Sequence, residues 1–171
     1  MSDFVPNEET LEKLTFIDNI QKDAEKEGFK LWHCGSWAIT AMLGYFFKDL
    51  KDVDAVVRTQ EDKVKLGKIV EKYGFKFSVE HPWGPVEYSN GQYEIEFGSA
   101  DDKRNLYYNT TLSENYYGNI NGVKLYIADP QTILKSRYEM IKAGYKKLDN
   151  TQKFVIKTIE NFISHNSKNL P

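Results

Sequence analysis

Apolar residues along the chain recur in two periods, every three or four positions in some stretches and every second position in others. The switches between those periods lay out the elements. From Glu8 to about Glu27, Leu11, Leu14, Ile17, Ile20 and Ala24 mark one face of an amphipathic helix that Gly28 closes. Phe29 to His33 reads as a short strand entering the core, after which Gly35-Ser36 breaks the chain. Helical spacing returns from Trp37 to Phe47 through Ala38, Ala41, Met42 and Tyr45. Asp52 to Val57 is β-branched and alternates polar with apolar positions, which predicts a strand. Glu61 to Tyr73 predicts the next helix, with Gly74 just beyond it, and Phe75 to Val79 another strand.

His81-Pro82-Trp83-Gly84-Pro85 reads as a stiff loop. Val86–Ser89 and Gln92–Phe97 flank Asn90-Gly91, the signal of a two-residue hairpin. Residues 98–119 are polar and irregular, and a loop of that length in a compact domain usually covers something. Val123 to Ile127 predicts a last strand. Asp129-Pro130 supplies an N-cap and a first-turn proline for a helix to about Gly144, and a further helix follows from about Asn150 to Ser164. This order predicts one domain of the α/β (α+β) class. It has a mixed β-sheet flanked by helices over about 8–128 and a C-terminal helical pair over about 129–165.

Composition narrows the function. The chain has 171 residues, 40% of them hydrophobic and 28% charged, a balance that builds one globular core. A formal charge of −2 argues against a nucleic-acid partner or an anionic membrane surface. That sum hides an acidic stretch at Glu8–Glu27 and a basic one at Lys135–Lys157, which read either as solvated helix faces or as help in holding a polyanion. Cys34 is the single cysteine, so neither an intrachain disulfide nor a thiolate zinc site is available. Three scattered histidines argue against a His-rich transition-metal site. His33 reads as a core residue, His81 as part of a surface loop. Nothing near Met1 resembles a signal peptide and no apolar run reaches membrane-spanning length, so the expected compartment is the cytoplasm.

Asp52 and Asp54 carry the chemistry. Side chains two apart on a strand share a face, and two carboxylates so placed can clasp a hard cation. Gly35-Ser36 lies between a predicted strand and a helix start, where free backbone amides and the helix dipole favour a phosphate. Taken alone, Gly35 reads equally as a turn residue and Ser36 as an N-cap.

The run Gly35-Ser36-Trp37-Ala38-Ile39, then Leu43-Gly44, Lys48-Asp49 and Asp52-Val53-Asp54, resembles the signature of the nucleotidyltransferase superfamily. Within it, the nearest likeness is to the small bacterial aminoglycoside and lincosamide nucleotidyltransferases. The resemblance implies transfer of a nucleoside monophosphate from a nucleoside triphosphate to a hydroxyl of a small, antibiotic-like acceptor. It implies magnesium, with two ions, held by Asp52, Asp54 and a third carboxylate on a later strand. Glu94 is the expected third carboxylate and Glu96 the reserve. Gly35 and Ser36 would hold phosphates, and Lys48, Lys135, Arg137 or Lys142 would neutralise the triphosphate.

A polycationic acceptor would meet Glu87, Glu94, Glu96 and Asp101-Asp102. Trp83 could stack on a base, whereas Trp37 reads as core. Small relatives often complete the acceptor site across two subunits, so a homodimer is also implied. The sequence departs from the family pattern in using a glutamate as third carboxylate, in Thr40 where an acid is frequent, and in Leu50 where a histidine is frequent. The alternative is a non-catalytic nucleotide-binding or protein-interaction module that keeps the fold.

Overall fold

The computed structural model describes residues 4–167. Helix α1 (Glu8–Lys26) starts where Asn7 accepts a hydrogen bond from the Thr10 amide, and it buries Leu14, Ile17, Ile20 and Ala24 as the spacing predicts. Strand β1 is shorter than expected, only Trp32–His33. Phe29 and Leu31 are buried without joining the ladder. Helix α2 (Gly35–Leu43) begins two residues earlier than the periodicity places it, with Cys34 at its N-cap, and stops at Gly44, whose φ of 77° is left-handed. Strand β2 (Val53–Val57) leaves Asp52 just outside its first residue. Thr59 and Asp62 form a capping box for α3 (Gln60–Lys72).

Strands β3 (Lys76–Glu80), β4 (Val86–Ser89) and β5 (Glu94–Ser99) complete a mixed sheet in the order β1-β2-β5-β4-β3. Only the central β2·β5 pair is parallel; the others are antiparallel. β3 is the exposed edge. The Asn90-Gly91 hairpin has a four-residue connection rather than two, because the Asn90 side chain accepts from the amides of Gln92 and Tyr93 and so takes up backbone groups that would otherwise pair.

Residues 98–119 are less irregular than expected. Their end forms β6 (Tyr117–Ile120), which pairs with β7 (Val123–Tyr126) in a separate ribbon around Asn121-Gly122, both with positive φ. The expected last strand therefore joins the main sheet only through a bridge between His33 and Ile127. This ribbon packs on α2 so tightly that a Cβ on Gly118 would lie 1.8 Å from the Ala41 carbonyl oxygen. Helix α4 (Pro130–Lys142) has its expected Asp129 cap, and α5 (Asn150–Ser167) packs against α4 and α2. No helix among the described residues is long and apolar enough to cross a membrane.

His33 is a core histidine as expected. Its Nε2 donates to Gln21 Oε1 at 3.0 Å, the orientation set by Gln21 Nε2 donating onward to the Lys124 carbonyl, and burial pulls its pKa down to about 4.

The Gly118–Ala41 contact generates a prediction. Gly118→Ala forces the β6–β7 ribbon off α2, and urea denaturation should show a loss of about 1–3 kcal/mol. Unchanged stability would mean that the ribbon can slide without cost.

Candidate active site

Asp54 stands opposite Glu96 across the parallel β2·β5 pair, with Ala55 opposite Phe97. Alternation sends Ala55 and Phe97 into the core and leaves the two carboxylates together on the other face. They line a cavity of about 430 Å³ together with Asp52, Gly35 and Ser36, a volume suited to a small ligand. Gly35 closes one side. Its φ is 55°, and a Cβ there would lie 2.1 Å from Asp54 Oδ2, so only glycine lets the start of α2 come this near the carboxylate. Ser36 sits in the first helical turn and lines the cavity, and Cys34 takes the N-cap instead.

The loop that presents Asp52 is pinned from several directions. The Asn7 amide donates to Asp49 Oδ1 at 2.8 Å, and Thr10 Oγ1 accepts from the Leu50 amide at 3.1 Å. The buried Lys13 ammonium donates to the Leu50 carbonyl at 3.0 Å and pairs with Glu9. Trp37, wholly buried as expected, donates its indole N–H to the Asp52 carbonyl at 3.0 Å. A further bond from the Cys34 amide to the Asp54 carbonyl at 2.9 Å locks β2 to the entry of α2.

Electrostatically the cavity demands a cation. Burial raises the Asp54 carboxyl to about 6, helped by the negative charges of Glu96 and Asp52. Glu96 is also raised, by burial first, while His81 pulls it the other way. Positive charge arrives from the start of the basic stretch. Arg137 on α4 and Lys146 just beyond that helix line the cavity. Partial burial lowers the Arg137 guanidinium, and Tyr107 and Asp54 oppose that shift. Trp83, Leu106 and Met140 contribute apolar wall.

Several expected site residues lie elsewhere. Glu94 shares the face of Glu96 but is exposed at the first residue of β5, outside the cavity lining. The third carboxylate at the cavity is therefore Glu96, the reserve choice. Lys48 lies near the Phe47 ring and outside the cavity lining, yet it feels the site's charges: partial burial, then Arg137 and Lys146, lower its pKa while Asp52 opposes. Lys135 faces Glu139 at 3.9 Å, and Lys142 ends α4 in solvent. The acidic wall expected for a polycation divides, with Glu87, Glu94 and Glu96 on one face of the β4·β5 pair and the two aspartates engaged elsewhere. Asp102 is buried against Arg104 at 2.8 Å, and Asp101 accepts from the Gln60 amide. Leu50 is a core residue, and Thr40 is fully buried. Lys146 and Tyr107 gave little signal as lining residues in the sequence, since loop closure brings them to the site, whereas Trp83, a candidate for stacking on a base, does line the cavity.

No family model matches the chain, and no curated protein matches its sequence. Solved structures do match its fold. The crystal structure of ANT(2")-Ia in complex with adenylyl-2"-tobramycin is similar with a TM-score of 0.71 and 19% identity, over 91% of this chain and 92% of that one. The lincomycin-bound lincosamide antibiotic adenylyltransferase LnuA gives 0.59 and 20%, over 88% and 97%. An antigenic nucleotidyltransferase-like protein from Paracoccidioides brasiliensis gives 0.56 and 17%, over 92% and 77%. The chain has the nucleotidyltransferase fold.

The crowding at Asp54 makes a stability prediction with a definite sign. Its folded pKa of about 6 lies above the reference value of 3.8, so the native state loses stability as pH rises through that window. In chelator-treated buffer, Asp54→Asn should be more stable than the unaltered protein by about 1–3 kcal/mol at pH 8. The difference should vanish near pH 4. Equal urea midpoints at both pH values would show that Asp54 is not held under charge stress.

Proposed function

We propose that the protein is a magnesium-dependent nucleotidyltransferase that moves a nucleoside monophosphate from a nucleoside triphosphate to a hydroxyl of a small molecule. The observation that carries this reading is the convergence of Asp52, Asp54 and Glu96 on one cavity beneath the N-terminus of α2, with Gly35 against the Asp54 carboxylate. Charge-stressed carboxylates fit a divalent cation better than they fit one another. Magnesium, when bound there, supplies the charge that neutralises the triphosphate and acidifies the acceptor hydroxyl.

In this reading Asp52 and Asp54 hold the cation, and Glu96 is assigned as third carboxylate in place of Glu94. The α2 amides at Gly35 and Ser36, with the Ser36 hydroxyl, receive phosphate oxygens. Arg137, one of the four cations expected in this role, and Lys146 line the same cavity and neutralise the triphosphate. The acceptor oxygen attacks the α-phosphorus in line, the bond to the bridging oxygen breaks, and pyrophosphate leaves. Glu96 takes the acceptor proton, a task a carboxylate performs when the hydroxyl is already acidified. Trp83, half-exposed at the rim, offers a face for a base or for the acceptor.

The acceptor class draws support from the neighbours, of which one is bound to adenylyl-2"-tobramycin and another to lincomycin. Trp83, Leu106 and Met140 in the wall suit a hydroxylated molecule that carries some apolar surface. Its cytoplasmic location and completion of the site by a second copy remain expectations carried over from the sequence.

Titration calorimetry with ATP and GTP, with and without magnesium, tests the reading. Triphosphate binding that requires magnesium is expected. It should be lost in an Asp52→Asn, Asp54→Asn double variant and unaffected by Glu94→Gln. Glu96→Gln should cut transfer by about 100-fold or more once an acceptor is found. A folded protein that binds no triphosphate would end the enzyme reading and favour a non-catalytic module.

A further inference from the structure

We propose that His81, Glu87 and Glu96 form a binding site for a divalent transition-metal ion, with zinc as the probe, distinct from the Asp52–Asp54 pair. Glu87 and Glu96 are direct cross-strand partners on the antiparallel β4·β5 pair. Two carboxylates so placed repel each other unless a positive charge lies between them. The His81 ring lies beside both carboxylates. Its Nε2 is 3.3 Å from Glu96 Oε2 and 3.6 Å from Glu87 Oε2. One ligand atom from each of the three residues lies within 4.8 Å of the others. His81 Nε2 is buried and has no hydrogen-bond partner among the described residues.

The dimensions match a metal. Two ligands each about 2.1 Å from a tetrahedral ion stand about 3.4 Å apart, a value between the two nitrogen–oxygen distances. The ring is also fixed before any ion arrives. It stacks on Trp83 with centroids 4.5 Å apart and planes 13° from parallel. The His81 amide donates to the Pro85 carbonyl at 2.8 Å and the Gly84 amide donates to the His81 carbonyl at 2.9 Å, so the Pro-flanked turn is closed on both sides. An imidazole nitrogen beside two carboxylates favours zinc or cobalt over magnesium, which prefers oxygen alone. Three protein ligands leave a fourth position for water. Because Glu96 belongs to both groups, an ion on His81 draws that carboxylate away from Asp54.

The test needs neither nucleotide nor acceptor, so it stands apart from nucleotidyl transfer. Zinc chloride and cobalt chloride are titrated calorimetrically into the full chain after chelator treatment and without magnesium. Saturable zinc binding is expected, with one site weakened at least about tenfold by His81→Gln or by Glu87→Gln and retained in the Asp52→Asn, Asp54→Asn double variant. Circular dichroism checks that each variant is folded. In the unaltered protein, cobalt should broaden the His81 imidazole NMR signals and leave those of the buried His33 sharp, a readout that requires no variant. Absence of saturable zinc binding to folded protein would overturn the proposal and leave His81 as a simple ion-pair partner. Zinc binding left unaltered by His81→Gln, or wholly lost in the Asp52→Asn, Asp54→Asn double variant, would overturn it as well, since the ion would then sit elsewhere.

Discussion

The Asp54 carboxylate has almost no freedom, and much of the molecule is arranged to keep it so. The start of α2 stands against one oxygen, close enough to exclude any side chain at Gly35. Across the sheet, the parallel register sets Glu96 beside it. Desolvation and like charge both oppose ionisation there, and the cations Arg137 and Lys146 across the cavity offset them only in part. A folded chain tolerates such a group at a cost in stability, a pattern expected of functional sites and hard to explain as packing.

The support extends outward in layers. Helix α1 is far from the cavity in sequence, yet Asn7, Thr10 and Lys13 hold the loop at Asp49–Leu50, and Trp37 holds the next turn at Asp52. A site built on a loop needs such ties, because a shift of a fraction of an ångström alters cation geometry. Leu50 is a core residue whose amide and carbonyl are both bound by α1, so it serves anchorage rather than chemistry.

How much of this was legible in the sequence follows from what each signal measures. Periodicity located the helices because their apolar faces are long, and Asp129-Pro130 marked its helix start to the residue. Asp52 and Asp54 were legible because a spacing of two on a strand fixes a shared face. Glu94 and Glu96 obey the same parity, so alternation could not separate them; the register against β2, a long-range fact, does. Asn121-Gly122 carried the same hairpin signal as Asn90-Gly91 but lay in a polar stretch too poor in apolar residues to read as strand. The basic stretch proved mixed, with Arg137 and Lys146 at the cavity and Lys135 and Lys142 in solvent. His81 read as surface because its carboxylate neighbours come from the next two strands. The scarcity of histidines ruled out a His-rich metal site but says nothing against a single imidazole among glutamates.

The most direct test of the central claim is to crystallise the protein with manganese and a triphosphate analogue that resists cleavage at the α-phosphorus, and to locate manganese by its anomalous scattering. The account predicts manganese bound between Asp52, Asp54 and Glu96, with phosphate oxygens against the Gly35 and Ser36 amides. Manganese and phosphates found elsewhere, with the Asp54 carboxylate free of any ligand, would contradict it.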